Sequence, residues 1–330
     1  MSVSGPPIPL LALFGLGGTI ATVPGPHGML PALTADDLAN ALGDIRAIAR
    51  LNVESVRQLP SSDLRFADIA EVGERIRRAV ADGARGAVVT QGTDTLEETA
   101  FLLDLLLDIE QPVAVTGAMR NPGLPGSDGA ANLMSAIRVA VAPHTAGLGV
   151  LVVMNDEIHA ARFVKKLHTS KPSAFASPNA GPLGWIAEDR VRIALRPAEP
   201  VPTLAWRGEP PAVPLITMGF SFDPASIASL VRDPPAGVVI AALGVGHVPS
   251  WTIDPIRALA SKIPVVLASR AGSGELFRET YDFAGSEVDL LKQGCVSAGA
   301  LDAAKARILL SLLLADGADR DRIAETFAHF

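Results

Sequence analysis

Two threonines follow glycines at points where short apolar segments of the chain end. Thr19 comes after Gly18, just past the apolar segment 8–14, and Thr93 comes after Gly92. Glycine lets a backbone turn sharply and approach a ligand closely, and open α/β sheets bind ligands beyond the carboxyl ends of their strands. The spacing therefore predicts that both hydroxyls face a ligand. At Thr19 the alternative is a threonine that only caps its own turn.

The segment 90–99 brings a glycine, several hydroxyls and several carboxylates to the start of a predicted helix. It reads TQGTDTLEET. Asp94 with Glu97, or Thr95 with Glu98, has the spacing of a capping box. A helix start also offers N–H donors and a positive dipole end, which suit an anionic intermediate or a substrate carboxylate. Because capping explains only part of this segment, the pattern favours a binding site.

The glycine-rich turn before Thr19 raises the alternative of a dinucleotide site. In the G-x-G-x-x-G fingerprint the third glycine would stand at Ile20, and Pro24 and Pro26 interrupt any long helix after the turn. Both features argue against a nucleotide cofactor.

Further groups with chemical potential lie beyond the segment 90–99. Ala118 follows a predicted strand and could present its backbone N–H at the strand end, while Ser127 or Asp128 is a candidate N-cap of the next helix. One of Lys165 and Lys166 could turn inward as a base or an electrostatic partner. A solvent-facing lysine pair is the alternative.

Short apolar runs alternate with helical patterns through the first half of the chain. The predicted strands lack a period of two, which is typical of strands covered on both faces. The predicted strands are 8–14, 87–90, 113–116 and 149–154, and the predicted helices are 67–81, 95–107 and 129–141. This alternation predicts a mostly parallel sheet with helices on both faces.

A proline-rich stretch, residues 196–214, interrupts the pattern and predicts a linker. Beyond it the predicted strands are 215–218, 237–242 and 265–268, and the predicted helices are 224–231, 253–262, 302–315 and 319–327. The predicted fold class is therefore α/β with two domains. The larger N-terminal domain, 1–195, holds the mostly parallel sheet, and a smaller C-terminal α/β domain covers 215–330.

Composition excludes several classes of protein. With 48% hydrophobic and 19% charged residues the chain can bury a large core, and a net charge of −7 with scattered basic residues argues against a nucleic-acid partner. No apolar run reaches the ~20 residues of a membrane helix, and no basic n-region opens the sequence. We therefore expect no membrane association and a cytoplasmic location. The single cysteine, Cys295, is expected to be a buried structural thiol.

Together these motifs resemble the bacterial-type (class 1) L-asparaginase, or glutaminase-asparaginase, family. The matching segments are 17–21, 90–99, 117–120, 149–156, 181–184, 269–270 and 301–310. They span nearly the full chain, and the paired threonine motifs are highly specific. Members of the family hydrolyse the side-chain amide of asparagine, and often of glutamine, without a metal or organic cofactor. They are typically homotetramers, dimers of intimate dimers with shared active sites.

The resemblance implies roles for individual residues. Thr19 corresponds to the primary nucleophile, and Thr93 to a second threonine with Asp94 and Lys166 as its partners. Asp94 is also expected to hold the substrate ammonium, and Glu287 to reach the site of a neighbouring subunit. The substrate-binding residues implied in this way are Ser61, Ser62, Asp63, Gly92, Thr93, Asp94, Ala118 and Glu287.

Amide hydrolysis by a threonine needs a proton acceptor and a stabilised oxyanion, because a hydroxyl is a weak nucleophile. Burial of Lys166 near Thr93 would disfavour the ammonium form, so the amine could accept a proton. The backbone N–H groups of Thr93 and Ala118 would form the oxyanion hole. We therefore expect L-asparaginase activity, with an asparagine-binding or sensor protein of impaired catalysis as the alternative.

The chain departs from the family pattern in the loop 22–31. Members usually carry a tyrosine there that assists the nucleophile, but this loop has none. Tyr281, the only tyrosine of the chain, is the expected catalytic replacement, with His27 as the alternative. The glycines and prolines of the loop predict a lid that closes over substrate. Gln91 stands where many relatives have histidine. The family often has asparagine around residues 244–246, but here His247 follows them. The sequence therefore does not assign a preference between asparagine and glutamine.

Overall fold

The computed structural model describes residues 8–25, 28–31, 33–42 and 45–330, and the chain divides into two units between Thr203 and Leu204. This boundary falls within the stretch 196–214. The strands of the first unit are β1 (Leu10–Gly15), β2 (Thr22–Gly25), β3 (Gly28–Pro31), β4 (Arg50–Ser55), β5 (Ala87–Thr90), β6 (Val113–Thr116), β7 (Val150–Met154), β8 (Glu157–Ala160), β9 (Lys165–Lys166), β10 (Phe175–Ala176), β11 (Gly184–Ala187) and β12 (Arg190–Ile193). Its helices are α1 (Ala35–Asn40), α2 (Phe66–Ala81), α3 (Leu96–Leu106) and α4 (Gly129–Val141).

An eight-stranded sheet forms the centre of the first unit, in the order β12-β11-β8-β7-β6-β5-β1-β4. Strands β4, β1, β5, β6 and β7 are parallel, while β8, β11 and β12 continue the sheet in antiparallel pairs. The carboxyl ends of β1, β5 and β6 therefore lie side by side at one edge of the sheet. Thr19, Thr93 and Ala118 follow these three ends.

The central strands are buried on both faces, as their continuous apolar character predicts. Leu13 and Val88 belong to one core with Leu133 and Ile137 of α4. Alternate residues of the same strands, such as Val89, are equally buried, and α2 and α3 also contact the sheet. Because successive strand residues point to opposite faces, helices cover both sides and fix the strand ends.

The second unit is a smaller parallel sheet with helices. Its strands are β13 (Leu215–Thr217), β14 (Val238–Ala242), β15 (Val265–Ser269) and β16 (Val296–Ser297), paired in that order. Its helices are α5 (Ala225–Arg232), α6 (Ile253–Ala260), α7 (Glu287–Lys292), α8 (Ala303–Ala315) and α9 (Arg320–Phe327). The predicted α/β fold class, with a larger mostly parallel sheet and a second smaller α/β body, is confirmed.

The predicted lid contains regular structure of its own. Strands β2 and β3 form an antiparallel hairpin in which Gly25 pairs with Gly28. His27, the alternative catalytic group, lies outside the described residues. Among the residues that the structure does describe, no helix is both long enough and apolar enough to cross a membrane.

Candidate active site

Lys166 connects a hydroxyl and a carboxylate at the turn after β5. Its Nζ donates to Thr93 Oγ1 at 2.9 Å and to Asp94 Oδ1 at 2.6 Å. Thr93 is buried, whereas the Asp94 side chain is 77% exposed. The Thr93 hydroxyl therefore lies in a shielded position while the carboxylate is open to a ligand. Because Thr93 Oγ1 accepts from Nζ, its own proton can point to another acceptor.

A pair of two-residue strands carries Lys166. In the antiparallel pair β9–β10, Lys166 is opposite Phe175. The backbone N–H of Lys166 also donates to Glu97 Oε2. Glu97 lies in the first turn of α3, directly after the turn that holds Thr93. This carboxylate therefore fixes the lysine backbone relative to the threonine it contacts.

His159 ties the same strand pair to the main sheet. It lies on β8, fully buried, with Nδ1 3.0 Å from the hydroxyl of Ser177, the residue after β10. Within the described parts of the chain its Nε2 has no hydrogen-bond partner, although Glu157 Oε2 is 3.3 Å away. Desolvation lowers the pKa of His159 to about 4. The imidazole is therefore neutral near pH 7, and its contact with Ser177 joins two neutral groups.

His159 should make the protein sensitive to acid. The unfolded chain binds a proton here below the ordinary pKa of 6.5, and the native chain only below about 4. Stability is therefore lost as pH falls through this window, by about 3 kcal/mol in all. The measurement is the free energy of unfolding in urea, for wild type and for His159→Gln. The difference between the two proteins should change by about 3 kcal/mol from pH 7 to about pH 4, with wild type losing stability. The exposed His329, changed to glutamine, is the control. A pH-independent difference for His159→Gln would contradict the assignment.

The turn that carries Thr19 packs directly on the turn that carries Thr93. Leu16 N–H donates to Thr90 O at 2.8 Å, which joins the ends of β1 and β5. Gly18 has a φ of 83°, and a Cβ there would lie 2.0 Å from the Gly92 nitrogen. Only glycine allows this approach. Thr19 itself is half-buried and begins a short 3-10 turn.

The predicted substrate-binding residues 61–63 form a 3-10 turn against the same place. Thr95 Oγ1 donates to Ser61 O at 2.9 Å, and a Cβ at Gly92 would lie 2.9 Å from Ser61 Oγ. Ser61 is buried, whereas Ser62 and Asp63 are exposed and hydrogen-bonded to each other at 3.2 Å. Ser61 therefore contacts the turn that carries Thr93.

Glu287 and Tyr281 belong to the second unit. Glu287 is buried and accepts the backbone N–H groups of Thr280 and Tyr281, at 3.1 and 2.7 Å. His247 Nε2 lies 3.1 Å from its other oxygen. Desolvation raises the pKa of Glu287, but these hydrogen bonds together outweigh it and lower the pKa overall. The carboxylate is therefore ionised and held rigidly inside its own unit.

Tyr281 lies beside this carboxylate with its side chain partly exposed. Its ring meets the His247 ring edge-on, with centroids 5.1 Å apart, and stacks on Phe277 at 6.5 Å. The role of Tyr281 as a donor to Thr19 stays a prediction.

The structure thus brings Thr19, Thr93, Asp94, Lys166 and Ser61 to one edge of the first sheet. Sequence patterns do not single out two further residues of this region. The spacing of Glu97 predicts only a helix cap, but its carboxylate accepts the Lys166 N–H. His159 contacts Ser177, next to the strand pair that carries Lys166. The capping interpretation of Thr95 is wrong, because this N-cap residue makes no side-chain capping bond. Its hydroxyl donates to the backbone oxygen of Ser61 instead.

Over the described part of the chain, no group of three or more histidine, cysteine and acidic side chains is placed to hold a metal ion. Cys295 is buried, and desolvation raises the pKa of its thiol to about 12. The prediction of a buried structural thiol is confirmed.

Two family profiles cover nearly the whole chain. Residues 10–199 match the profile described as "Asparaginase, N-terminal", and residues 212–327 match "Glutaminase/Asparaginase C-terminal domain". The chain is 37% identical over 309 residues to the L-asparaginase of Bacillus licheniformis, with 92% of this chain and 95% of that protein covered. It is 38% identical over 325 residues to a probable L-asparaginase of Deinococcus radiodurans, with 97% of each covered.

A solved structure has the same fold. The crystal structure of a probable cytoplasmic L-asparaginase from Campylobacter jejuni superposes with a TM-score of 0.88 at 30% identity, covering 97% of this chain and 99% of that one. Fold and site together define the class as an amidohydrolase built on two α/β units. Within that class, the chain belongs to the asparaginase family.

Proposed function

We propose that this protein is an L-asparaginase that hydrolyses the side-chain amide of L-asparagine to L-aspartate and ammonia, with Thr19 as the nucleophile and some activity on glutamine. The observation that carries the proposal is the pair of contacts from Lys166 Nζ to Thr93 and Asp94, beside the turn that bears Thr19. The names of the Bacillus licheniformis and Deinococcus radiodurans relatives support the substrate. We place the enzyme in the cytoplasm, which cell fractionation would test.

The proposed reaction proceeds through a threonyl ester. Thr19 Oγ attacks the amide carbon, and its proton passes to a neighbouring group, which then delivers a proton to the departing amide nitrogen. Lys166 Nζ, which donates to Thr93 Oγ1 at 2.9 Å, is the group that would exchange a proton with Thr93 during the reaction. The N–H groups of Thr93 and Ala118 would donate to the oxyanion. The amide nitrogen leaves as ammonia, and water then cleaves the ester with the same groups.

Recognition of asparagine requires a site for a zwitterion. The open carboxylate of Asp94 is suited to the substrate ammonium, and Asp63 adds negative charge nearby in the 61–63 turn. N–H groups of the glycine turns and the hydroxyl of Ser61 are suited to the substrate carboxylate. No metal or organic cofactor takes part in this scheme.

Ammonia release is the direct test of the function. Purified protein assayed with L-asparagine, L-glutamine and D-asparagine should show the highest kcat/KM with L-asparagine. The alternative is an asparagine-binding or sensor protein, and the absence of a tyrosine from the loop 22–31 is the observation that supports it. Asparagine binding by calorimetry without ammonia release would establish that alternative and overturn the enzyme.

We further propose a homotetramer or dimer of dimers in which Glu287 and Tyr281 complete the site of a neighbouring subunit. Three aromatic residues of this region are exposed: Phe277 by 43%, Tyr281 by 42% and Phe283 by 50%. An exposed apolar patch of this kind supports an interface with another subunit.

Mixing subunits should reveal shared sites. Thr19→Ala subunits mixed and reassembled with Glu287→Ala or Tyr281→Phe subunits should regain activity, because one site of a mixed pair would contain all native groups. Each variant alone should be impaired. A fully active monomer in sedimentation velocity, assayed at the same dilution, would disprove the shared site.

A further inference from the structure

Asp128 begins α4, but its carboxylate does not cap that helix. It is the N-cap residue and makes no side-chain capping bond. Instead Oδ1 accepts Arg120 N–H at 2.8 Å and Oδ2 accepts Met119 N–H at 3.0 Å. An aspartate at this position ordinarily accepts from its own first helical turn. Here two charge-assisted hydrogen bonds attach the preceding 117–120 turn to the helix.

Asn132 contacts the same turn from one helical turn further along α4. It is buried at 2% exposure, and its Nδ2 donates to Gly117 O at 3.0 Å and to Asp128 Oδ2 at 3.1 Å. Its Oδ1 accepts Asn155 N–H at 2.9 Å. The amide is therefore used at both ends. Asp128 and Asn132 together bond to peptide groups on both sides of Ala118.

The 117–120 turn lies against the catalytic threonine. A Cβ at Gly117 would be 3.2 Å from Thr93 Cγ2 and 2.5 Å from Gln91 O. Ala118, which follows, is 1% exposed. A rotation of the peptide between Gly117 and Ala118 would therefore redirect the Ala118 N–H relative to Thr93.

We propose that Asp128 and Asn132 are positioning residues that hold the Ala118 N–H towards the oxyanion that forms beside Thr93. The inference rests on the proposed function, since it uses Ala118 as an oxyanion donor. Preorganised donors stabilise developing charge because they need not reorient during the reaction. Neither side chain touches substrate, so both act through the backbone of Ala118.

The matched control is Ser135 on the same helix. It is buried, and its hydroxyl donates to Asp156 Oδ1 at 3.1 Å, so its hydrogen bond links α4 to the turn between β7 and β8. Ser135→Ala therefore removes a buried hydrogen bond of α4 that does not involve the backbone around Ala118.

Kinetics and amide hydrogen exchange together test the proposal in the full-length protein. Asp128→Ala and Asn132→Ala should each lower kcat for asparagine by about 10- to 100-fold, up to the scale of losing one oxyanion donor. KM should change much less, because the donor stabilises the charged oxyanion of the transition state more than the neutral amide oxygen of the bound substrate. Exchange at the Met119 and Arg120 amides should accelerate in Asp128→Ala, and Asp128→Asn should restore part of kcat. Ser135→Ala should stay within about twofold of wild type.

Two results would overturn the proposal. One is a kcat loss in Ser135→Ala as large as in Asn132→Ala at equal thermal stability. The other is faster exchange at Met119 and Arg120 with kcat retained. If Asp128→Ala does not fold, Asp128→Asn decides by the same readouts. A wild-type protein that releases no ammonia would refute the proposed function instead, and unchanged exchange at Met119 and Arg120 in Asp128→Ala would then refute the positioning role.

Discussion

Replacing Thr19 with alanine should abolish the release of ammonia from asparagine. Hydrolases that lose their nucleophile lose kcat by roughly 10⁴-fold or more. Thr93→Val should have an effect of similar size, since it removes the oxygen that accepts from Lys166 Nζ at 2.9 Å. Both side chains are small, so we expect the fold and the thermal stability to change little. Steady-state kinetics with coupled ammonia detection measures the loss.

Two further variants separate chemistry from folding. Thr19→Ser keeps the hydroxyl and should restore much of the rate. Thr145→Val removes a buried hydroxyl that donates to Val139 O and Ala142 O, at 2.8 and 2.7 Å, away from the strand ends. It should cost stability but not activity per folded molecule. Retention of a tenth of kcat means that the activation free energy rises by only ~1.4 kcal/mol. If Thr19→Ala or Thr93→Val retains more than that, the residue is not essential to the chemistry.

The second large effect is expected at Lys166. Lys166→Met keeps the aliphatic stem but removes the Nζ that contacts Thr93 and Asp94. A positioned proton-transfer group contributes about 10²- to 10⁴-fold, so kcat should fall by about 10²-fold or more. Successive residues of a strand point to opposite faces, which makes Lys165→Met the matched control. It should leave kcat within a few-fold of wild type.

Glu97 makes the comparison sharper. It accepts the backbone N–H of Lys166, a contact that neither lysine side chain provides, so it survives in both methionine variants. Equal activities, or a larger loss at Lys165, would remove Lys166 from the mechanism.

The parts of the fold that the sequence predicted are those with an unambiguous apolar pattern. Strands such as β5 and β6 are continuous apolar runs, because helices cover them on both faces. The strand Arg50–Ser55 is absent from the predicted strands, because it lies at the sheet edge and alternates polar and apolar residues. The pair β9–β10 has two residues in each strand, so only its tertiary pairing defines it.

The site shows the same division. The glycine turns and threonines are local features, and their positions after β1 and β5 followed from the strands. Glu97 and Asp128 bond to backbone groups outside their own helices in place of the local caps that their spacing predicts. His159 bonds to Ser177, and no local pattern marks it. Local hydrogen bonds of acidic residues compete with tertiary ones. Sequence spacing alone therefore cannot show whether an acidic side chain caps its own helix or bonds to a distant group.

The place of β1 between β4 and β5 also has a consequence for how activity is acquired. Ala12 of β1 pairs with Ala87 of β5, and the two threonine turns that touch each other follow the carboxyl ends of these paired strands. Bringing together segments so far apart costs loop-closure entropy, and folds rich in such contacts form slowly. A nascent or refolding chain can thus possess helices and local turns while its catalytic groups are still far apart. Regained turnover after dilution from denaturant therefore reports closure of the sheet itself, not the secondary structure that precedes it.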